Sequence, residues 1–408
     1  MQSRQYSNRR DFLREAAGAG MSLGLAARGT LAAGEPAPAP HRPELAVIYF
    51  PHWHRYDHMD SWHGFGWTEW ELVRSAPPRF EGHYQPLRPS WGFFDDSDPA
   101  WSQREIDLAA DHGIDVFLFD WYWYSGVRIM QEALENGFLK APNRHRMKFA
   151  LMWANHTWGD YFPVAYDKPF HVWLPQRHSP ADLARVVDYW IEHYFREPNY
   201  WKVDGRPVIS VFAPDTLIEQ LGGPANTQAV LREMDARLQR AELPPIHWNA
   251  MLRGPEQASA CREAGFHSAT GYNITDSGQT SPGLTQEYED LMETHRETWR
   301  SMSAAALPYC PVVTMGWDVT PRCEHGVPFP FANPHYPYGP VVVGNTPERF
   351  GRLCREALEF ATGDSRRPPA VVVNAWNEWT EGSYLLPEAR YGMAYLEALR
   401  GAWGSRKS

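Results

Sequence analysis

The stretch "PAVVVNAWNEWTEG", residues 369–382, joins an apolar run to two glutamates. Its first half is rich in β-branched residues without polar alternation, which is typical of a strand buried on both faces. Glu378 and Glu381 follow three positions apart, and Trp379 lies between them. Unpaired acids are costly near a core, so this pair is either a solvated turn or a catalytic couple.

Eight apolar runs of this kind recur along the chain. They cover residues 44–50, 115–122, 147–154, 206–212, 245–251, 267–273, 310–316 and 369–377. Helical patterns lie between them at residues 98–113, 179–195, 226–243 and 346–363. Continuous apolar strands that alternate with helices imply a parallel sheet covered on its outer face. Eight of them predict an α/β fold, a single-domain (β/α)8 TIM barrel, in preference to a doubly wound sheet.

Polar and aromatic residues accumulate directly after these runs. "PHWHRYDH" (51–58) follows the first, "DWYWYSG" (120–126) the second and "WANHTWGDYF" (153–162) the third. Active sites of such barrels lie at the carboxyl ends of the strands. The sequence therefore predicts that Glu378 and Glu381 stand at the mouth of the barrel.

The amino-acid composition limits the class of molecule that the protein binds. Aromatic residues make up 14% of the chain, with 19 Trp, 19 Tyr and 19 Phe. Aromatic faces edged by polar groups suit sugar rings, although they also fill cores. A net charge of −10 gives no basic footprint for nucleic acid or for an anionic membrane surface. No apolar stretch of about 18 residues occurs, so no membrane span is expected.

The first 33 residues differ in kind from the rest. Arg9 and Arg10 precede a weakly apolar run of Ala, Gly and Leu, which ends in small residues at positions 32 and 33. This order predicts a twin-arginine signal peptide over residues 1–33, followed by the Pro-rich spacer "GEPAPAPHRP" over residues 34–43. We expect the precursor to engage the twin-arginine export machinery and the mature protein to be periplasmic or secreted.

Cysteine usage agrees with export in a folded state. Cys261, Cys310, Cys323 and Cys354 are widely spaced and form no CxxC, which argues against a zinc or redox motif. Because the twin-arginine route generally follows cytoplasmic folding, we expect free thiols or at most one disulfide. Cys310 and Cys323 are the pair expected to form it.

Two carboxylates at a barrel mouth rich in indoles fit the cleavage of glycosidic bonds. That reaction needs one protonated acid at the leaving oxygen and one carboxylate that acts as base or nucleophile. In a helical turn, an i, i+3 spacing brings side chains within about 5–6 Å at Cβ, so both acids could reach one bond. An ExxE pair by itself is equally compatible with a capping acid and a surface acid on a turn.

Metal catalysis is the rival interpretation. His52 and His54 form an HxH motif after the first run, and His is the commonest metal ligand. His247 and His267, however, fall at the starts of runs five and six, which is the wrong end of the barrel. We therefore predict no metal and no cofactor. GxSxG, GxGxxG and P-loop motifs are absent, so acyl, hydride and phosphoryl transfer have no sequence support.

Four blocks of the sequence resemble a known family. They are "VIYFPHWHRYDHMDSWHGFGWTEWELVRSAPPRFEGHYQPLRP" (47–89), "DLAADHGIDVFLFDWYWYSG" (107–126), "ALMWANHTW" (150–158) and "VVVNAWNEWTEGSYLLPEARYGMAYLEALR" (371–400). In this order they resemble the glycoside hydrolase family 99-like, or WbsX-like, domain. The resemblance covers roughly residues 44 to 402 and implies a (β/α)8 barrel without a metal requirement.

The resemblance also implies a mechanism. The hydrolase relatives cleave α-mannosidic linkages inside chains with retention, using two glutamates of a "NEWxEG" block. One deprotonates the sugar 2-hydroxyl, so that a 1,2-anhydro sugar forms, and the other protonates the leaving oxygen. On the matching positions, Glu378 is the base and Glu381 the general acid. The first block is closer to the WbsX-like branch, which leaves the sugar open.

WbsX-like domains are also described as glycosyltransferases, so sugar transfer or another step of polysaccharide processing is an alternative. The export signal weighs against it, because nucleotide-sugar donors are cytoplasmic and the chain has no obvious diphosphate cradle. A non-catalytic glycan-binding barrel is a further alternative. We predict an exported retaining glycoside hydrolase that acts on a polysaccharide or glycan.

A set of residues near the predicted mouth is expected to contact the sugar. They are His52, His54, Trp67, Glu69, Trp70, Asp120, Tyr122, Trp123, Trp153, Asn155, Trp158, Trp317, Trp376, Asn377 and Trp379. Residues 67 to 158 of this set should line one cleft. We further expect Trp379 and Tyr384 to raise the pKa of Glu381, while Asn374 or Asn377 keeps Glu378 ionised.

Overall fold

The computed structural model describes residues 42–275, 285–366 and 368–404. The predicted signal peptide lies outside the described residues, as does most of the predicted spacer. None of the described helices combines the length and apolar character that a bilayer span requires.

Within the described residues, eight parallel strands form the central sheet. They are β1 (Glu44–Tyr49), β2 (Val116–Trp121), β3 (Lys148–Trp153), β4 (Arg206–Val211), β5 (His247–Met251), β6 (Ser268–Thr270), β7 (Val312–Thr314) and β8 (Ala370–Asn374). Their order is β7-β8-β1-β2-β3-β4-β5-β6. Backbone bonds from Ala269 N to Pro308 O (2.8 Å) and from Cys310 N to Ala269 O (2.7 Å) link β6 to the segment before β7. The sheet thus closes into the predicted (β/α)8 barrel.

Helices surround this sheet. They are α1 (Asp57–His63), α2 (Trp70–Ser75), α3 (Pro99–Asp111), α4 (Pro180–His193), α5 (Pro214–Gln220), α6 (Pro224–Arg240), α7 (Ala258–Glu263), α8 (Tyr288–Ser303), α9 (Pro347–Gly363) and α10 (Ala394–Trp403). Single helical turns lie at Ala133–Gly137, Phe138–Lys140, Arg144–Arg146, Pro255–Gln257, Thr320–Arg322 and Trp379–Glu381.

Short strands decorate the barrel. Trp158–Gly159 pairs with Val172–Leu174, Lys202–Val203 pairs with β4, Thr285–Glu287 pairs with Val341–Val343, and Asn377–Glu378 pairs with Ser383–Tyr384. Three of these four pairs lie in connections that follow the carboxyl ends of barrel strands. They therefore build the walls around the mouth.

The sequence patterns explain the barrel strands. All six residues of β2 and all five of β8 are buried, because one face of each strand packs inside the barrel and the other packs against helices. All eight runs are confirmed as strands. β6 and β7 are shorter than expected, since each has only three residues in the sheet.

The four predicted helices are confirmed as α3, α4, α6 and α9. In α9, the Thr346 hydroxyl accepts a bond from Arg349 N at 3.4 Å, Pro347 occupies the first turn and the helix ends at Gly363. Other helices were not predicted, α8 and α10 among them.

The four cysteines are buried free thiols, as expected. Cys310 and Cys323, named as the pair for a single disulfide, do not form one. Cys310 directly precedes β7 at the amino end of the barrel, whereas Cys323 follows the turn Thr320–Arg322 beyond the carboxyl end of that strand. The length of β7 and the turn after it separate the two thiols.

Candidate active site

The end of β8 leads directly into the turn that carries both glutamates. Asn377–Glu378 pairs with Ser383–Tyr384 as a small antiparallel hairpin, and Trp379–Glu381 forms a 3₁₀ turn between them. Gly382 closes this catalytic turn at φ 66°, and a Cβ there would lie 2.8 Å from the backbone nitrogen of Asp318. Only glycine fits this backbone. The turn directs both glutamates to one side and the tryptophan between them to the other.

Both glutamates face a cavity of about 290 Å³ at the carboxyl ends of the strands, which we call the catalytic cavity for the role that we propose for it. Its walls combine aromatic rings with a few convergent polar groups, as in sites for small organic ligands. The lining residues are Phe50, Asp120, Tyr122, Met152, Ala154, His156, Trp158, Tyr161, Phe162, Phe212, Arg253, Tyr272, Arg322, Tyr336, Glu378 and Glu381.

Two side chains donate hydrogen bonds to the carboxyl group of Glu378. The Tyr272 hydroxyl donates to its Oε2 at 2.5 Å, and Arg322 Nη2 donates to its Oε1 at 3.4 Å. Only 2% of the residue is exposed. Burial raises the pKa of Glu378 well above its usual value, and repulsion from Glu381 raises it further.

Glu381 has one occupied oxygen and one free oxygen. Arg322 Nη1 donates to Oε1 at 2.5 Å and the Tyr336 hydroxyl donates to the same atom at 2.8 Å. Oε2 is buried and has no hydrogen-bond partner among the described residues. Burial raises the pKa of Glu381, and the charge of Arg322 opposes this effect.

The raised pKa expected for Glu381 is confirmed in direction, with burial as its cause, whereas the expectation that Glu378 stays ionised is wrong. Asn377 Oδ1 accepts the backbone N–H of Phe50 at 2.8 Å, so this amide ties the turn to the end of β1 instead of bonding Glu378. Asn374 makes no side-chain hydrogen bond within the described part of the chain. The pKa of Glu378 is raised by burial, and the two carboxyls titrate as a pair that retains a proton above the usual range of Glu.

Arg322 is the buried cation of the site. Besides both glutamates of the turn, it binds Glu69, with Nη2 at 3.0 Å and Nε at 3.2 Å from Glu69 Oε1. The Thr380 hydroxyl and His52 Nδ1 also bond the Glu69 carboxylate. Burial alone would raise the pKa of Glu69, but Arg322 and these bonds hold it below its usual value. An ionised Glu69 therefore balances the charge of Arg322 away from the cavity.

His52 and His54 point to different partners. Burial lowers the pKa of His52, so the neutral ring donates from Nδ1 to Glu69 and accepts the Tyr56 hydroxyl at Nε2, 3.0 Å away. His54 lies 2.6 Å from Asp96, and this contact outweighs burial and raises the pKa of His54 to about 10. Neither ring lines the catalytic cavity.

The HxH motif does not build the metal site of the rival interpretation. Its two rings bond separate carboxylates, which leaves no shared point where a metal could sit. Across residues 42–275, 285–366 and 368–404, His, Cys, Asp and Glu side chains form no group of three or more with the geometry of a metal site.

Asp120 forms the floor of the cavity beside the glutamates. Burial raises the pKa of Asp120 well above its usual value, and repulsion from Glu381 adds to the effect. Its Oδ2 lies 3.4 Å from the Tyr272 hydroxyl, while Oδ1 is buried without a hydrogen-bond partner among the described residues. Asp120 thus has an oxygen that no described donor engages, and so has Glu381 apart from its contact with the carboxyl of Glu378.

The structure brings five of the predicted site residues into the cavity wall. They are Asp120, Tyr122, Trp158, Glu378 and Glu381. Trp67 lies one layer behind, with its ring centroid 5.9 Å from that of Phe162, a wall residue, and stacked on His63 at 4.3 Å. Glu69 reaches the site through Arg322 and Thr380, and His52 packs behind the wall residues Trp158 and Phe162.

Four residues from the expected cleft lie elsewhere, which corrects the single-cleft model. Trp70 packs on Trp53 at 4.1 Å, and Trp123 donates its indole N–H to Asp182 at 3.2 Å. Trp153 packs against the ring of Trp190 at 5.8 Å. Alternation along β3 explains this orientation, since the neighbours of Trp153 at positions 152 and 154 line the cavity.

The fourth of these residues, Asn155, bonds both backbone groups of Ala213, accepting at 2.7 Å and donating at 3.0 Å. It therefore ties together the ends of β3 and β4. Trp376 donates its indole N–H to Glu105 at 3.0 Å, and Trp379 stacks on Tyr384 at 4.2 Å. These residues hold the mouth in shape without reaching the cavity.

Several residues that line the cavity were not predicted from the sequence. Tyr272 and His156 follow β6 and β3, so the strand-end rule that selected their neighbours could have found them. Arg322 and Tyr336 belong to the long connection between β7 and α9, where no strand end marks them. Trp317, from the same connection, lines a separate cavity.

Comparisons with known proteins agree with this architecture. A family model described as glycosyltransferase WbsX matches residues 45–399. Proteins named WxcX from two strains of Xanthomonas campestris pv. campestris are 30% identical over 398 and 397 residues, which is 93% of this chain and 52% of each relative. The chain therefore spans about half the length of these relatives.

Solved structures share the fold at low identity. A glycoside hydrolase-like protein superposes with a TM-score of 0.59 at 14% identity, covering 91% of this chain and 98% of that chain. The family 99 endo-α-mannosidase from Bacteroides thetaiotaomicron superposes with a TM-score of 0.55 at 14% identity, covering 88% and 96%. The match of the family model over nearly the whole described barrel establishes that this chain belongs to the WbsX family, with a fold like that of family 99 glycoside hydrolases.

Proposed function

We propose that this protein is a retaining glycoside hydrolase that acts on a polysaccharide or glycan and needs neither metal nor cofactor. The observation that carries the proposal is the catalytic turn. It presents Glu378 and Glu381 side by side to a cavity with aromatic walls, and the pKa of each is raised by burial. Two coupled carboxyls that share protons can supply both the acid and the base of glycoside cleavage.

The contacts support distinct roles for the two carboxyls. Glu381 Oε2 has no partner among the described residues and is available to protonate the leaving glycosidic oxygen. Glu378 is held in one orientation by Tyr272 and Arg322, as suits a base that removes the proton of the sugar 2-hydroxyl. The 2-oxygen then displaces the leaving group at C1 to give a 1,2-anhydro sugar, and water opens this ring at C1 with overall retention.

The contacts of Arg322 favour the opposite proton distribution. Arg322 lies 2.5 Å from Glu381 and 3.4 Å from Glu378, so it stabilises the ionised form of Glu381 more strongly. The proposed reaction begins with Glu381 protonated and Glu378 ionised. The proposed mechanism therefore requires a proton to pass from Glu378 to Glu381 when the sugar binds.

The first test is a search for substrate, followed by single substitutions. Release of reducing ends is measured on α-mannans, α-glucans and bacterial exopolysaccharides. On a cleaved substrate, Glu378→Gln and Glu381→Gln should each lower the rate by about 10²–10⁴, the usual contribution of a positioned acid or base. Glu397→Gln, an exposed position on α10, serves as the control and should retain full activity.

Leaving-group dependence separates the two roles. Glu381→Gln should impair substrates with poor leaving groups far more than activated aryl glycosides, which need little protonation. Glu378→Gln should impair both, and a 2-deoxy sugar should not turn over because it has no hydroxyl to deprotonate. Rapid cleavage of a 2-deoxy substrate that still depends on Glu378 would show direct attack by that carboxylate. Full activity of both variants would rule out the proposed pair.

Sugar transfer is the second candidate, favoured by the description of the matching family model as a glycosyltransferase. It would be supported if the purified protein consumed a nucleotide sugar and released no reducing ends. A glycan-binding barrel without catalysis would instead bind oligosaccharides equally well in the wild type, Glu378→Gln and Glu381→Gln, and would cleave none.

We also propose that the precursor is exported by the twin-arginine route to the periplasm or the medium. The support is the order of features in residues 1–33, which lie outside the described part of the chain. Replacing Arg9 and Arg10 by lysine should retain the protein in the cytoplasm, as fractionation and immunoblotting would reveal. Unchanged export of the double variant would contradict this route.

A further inference from the structure

We infer that a second saccharide-binding site lies behind the catalytic turn, in a cavity of about 170 Å³ that contains Trp317. None of its lining residues lines the catalytic cavity. The two are separated by backbone, since Asp318 N donates to Glu381 O at 2.7 Å and Gly382 lies in the wall of the second cavity. This inference goes beyond the proposed function, because binding here requires neither glutamate.

Trp317 places a partly exposed indole in the wall of this cavity. The residue packs in part against the hydrophobic core, and it makes no ring-to-ring contact with another aromatic residue of the described chain. Its indole N–H likewise has no acceptor within the described part of the chain. The backbone is fixed, because Trp317 O accepts from Val342 N at 2.8 Å. A partly exposed indole that rests against the core and has a free donor is a surface on which the C–H face of a pyranose can stack.

Arg390 adds an uncommitted donor group. Its guanidinium lies over the rings of Tyr84 and Tyr391, 5.0 and 5.2 Å from their centroids, and makes no ion pair with the described residues. The segment is held by Glu388, which accepts from Arg390 N at 2.7 Å, from Tyr391 N at 2.5 Å and from the Tyr84 hydroxyl at 2.5 Å. The guanidinium is therefore positioned by the fold and free to bond a ligand.

The remaining charged groups of this cavity are already engaged. Asp318 Oδ2 accepts from His83 Nε2 at 2.8 Å and from Gln85 Nε2 at 2.6 Å, and its Oδ1 accepts from the backbone and hydroxyl of Thr320. No free carboxylate remains among these groups to attract a cationic ligand. The volume is below the range of about 300–1,000 Å³ for drug-sized ligands. Together these features fit one pyranose unit, neutral or acidic, of a glycan.

The test observes Trp317 directly. Protein labelled with ¹⁵N-tryptophan gives an indole resonance for this residue, identified by its loss in Trp317→Phe. Methyl α-mannopyranoside, methyl α-glucopyranoside and methyl α-glucuronide are titrated in turn. At least one should shift the Trp317 resonance saturably, in the wild type and equally in Phe162→Ala, which removes part of the wall of the catalytic cavity. The resonance of Trp91, partly exposed outside both cavities, is the control and should not move.

A second variant tests the polar group. Arg390→Gln, at an exposed position, should weaken binding of the same glycoside by about threefold to tenfold. The inference is overturned if none of the three glycosides moves the Trp317 resonance, or if the shift disappears in Phe162→Ala. Absence of hydrolysis together with a retained shift would count against the proposed function alone.

Discussion

At the scale of single residues, the ionisation of the carboxyl groups around the catalytic cavity depends on Arg322. It lies within bonding distance of Glu69, Glu378 and Glu381, and 4% of it is exposed. Removing one partner of a buried ion pair leaves uncompensated charge, which the protein avoids by protonation. The cation therefore determines how many protons the carboxyls bind at a given pH.

The first prediction concerns replacement of this cation. Because Arg322 favours the ionised carboxylates, Arg322→Met should raise the pKa values of the glutamate pair. The acid limb of the pH profile of kcat/KM should then move to higher pH, by about one unit or more. Arg322→Lys keeps a charge and should move the limb less. Profiles are measured on the cleaved glycan, with circular dichroism to establish folding. An unmoved acid limb in a folded Arg322→Met protein would refute this role.

The next prediction concerns metal removal. His52 bonds Glu69 and Tyr56, and His54 bonds Asp96 and Glu132, so both rings are engaged by protein groups. We expect glycan hydrolysis to be unchanged after treatment with EDTA. The measurement is the release of reducing ends before and after chelation. Loss of activity that Zn²⁺ restores would return these histidines to a metal site.

The sequence predicted part of this site for a physical reason. Glu378, Glu381, Asp120 and Tyr122 could be found because they lie at or shortly after the carboxyl ends of buried strands, and all parallel strands of a barrel end at the same rim. Arg322 could not be found, since a lone arginine in a long connection carries no periodic signal. Trp153 was predicted to contact the sugar but does not line the cavity. Its place in the sequence does not say which face of the strand reaches the cavity.

At the scale of elements, α3 is fastened to the strands beneath the catalytic turn through Glu105. This carboxyl accepts the Tyr49 hydroxyl at 2.8 Å and the indole N–H of Trp376 at 3.0 Å. It connects the helix to β1 and to the segment after β8. Burial raises the pKa of Glu105 to about 8, although these bonds oppose the shift.

The prediction at this scale is a dependence of stability on pH. Since the pKa of Glu105 is higher in the folded than in the unfolded chain, the folded state binds more protons between about pH 4.3 and pH 8. The contribution of Glu105 to stability is complete below this window and is lost as pH rises through it, by at most about 4 kcal/mol between pH 5 and 8. Glu105→Gln should remove this slope.

The measurement is urea unfolding of both proteins from pH 5 to pH 8.5. Other titrating groups affect the wild type and the variant alike, so the difference between the two curves isolates Glu105. Asp107→Asn, a position on the outer side of α3, is a suitable control. Parallel curves for the wild type and Glu105→Gln would show that the carboxyl is ionised in the fold.

The elements themselves were predictable where burial is two-sided. Strands such as β2 and β8 have no polar alternation and cannot be mistaken for surface segments. α8 was missed although Leu291, Met292 and Trp299 repeat with a helical period, because charged residues between them dilute the apolar signal. The shortness of β6 and β7 depends on where the chain leaves the sheet, which local sequence does not specify.

At the scale of the whole molecule, the four buried thiols lie in different parts of the protein. Cys261 lies in α7, Cys310 beside β7 and Cys354 in α9, all within the main core, whereas Cys323 packs with Phe331 and Tyr338 in a separate small cluster. Burial raises the pKa of Cys261 and of Cys310 to about 12 and raises the pKa of Cys323 and of Cys354 further. Because the thiolate is the reactive form, each thiol reacts only when its surroundings open.

This arrangement yields the last prediction. In native buffer at pH 8, Ellman's reagent should label the three core thiols at the rate of global unfolding, because their burial is lost only when the barrel opens. Cys323 should react faster, since its cluster can open without the barrel.

Peptide mapping after timed labelling gives the rate for each cysteine, and circular dichroism in denaturant gives the unfolding rate for comparison. Ser301→Cys adds an exposed thiol as a control, and this thiol should react at once. In denaturant all four native thiols should react, and fewer would reveal a disulfide. If Cys323 reacted no faster than Cys310, its cluster would be part of the same cooperative unit as the barrel. The loop that carries Arg322 would then be as stable as the strands beneath it.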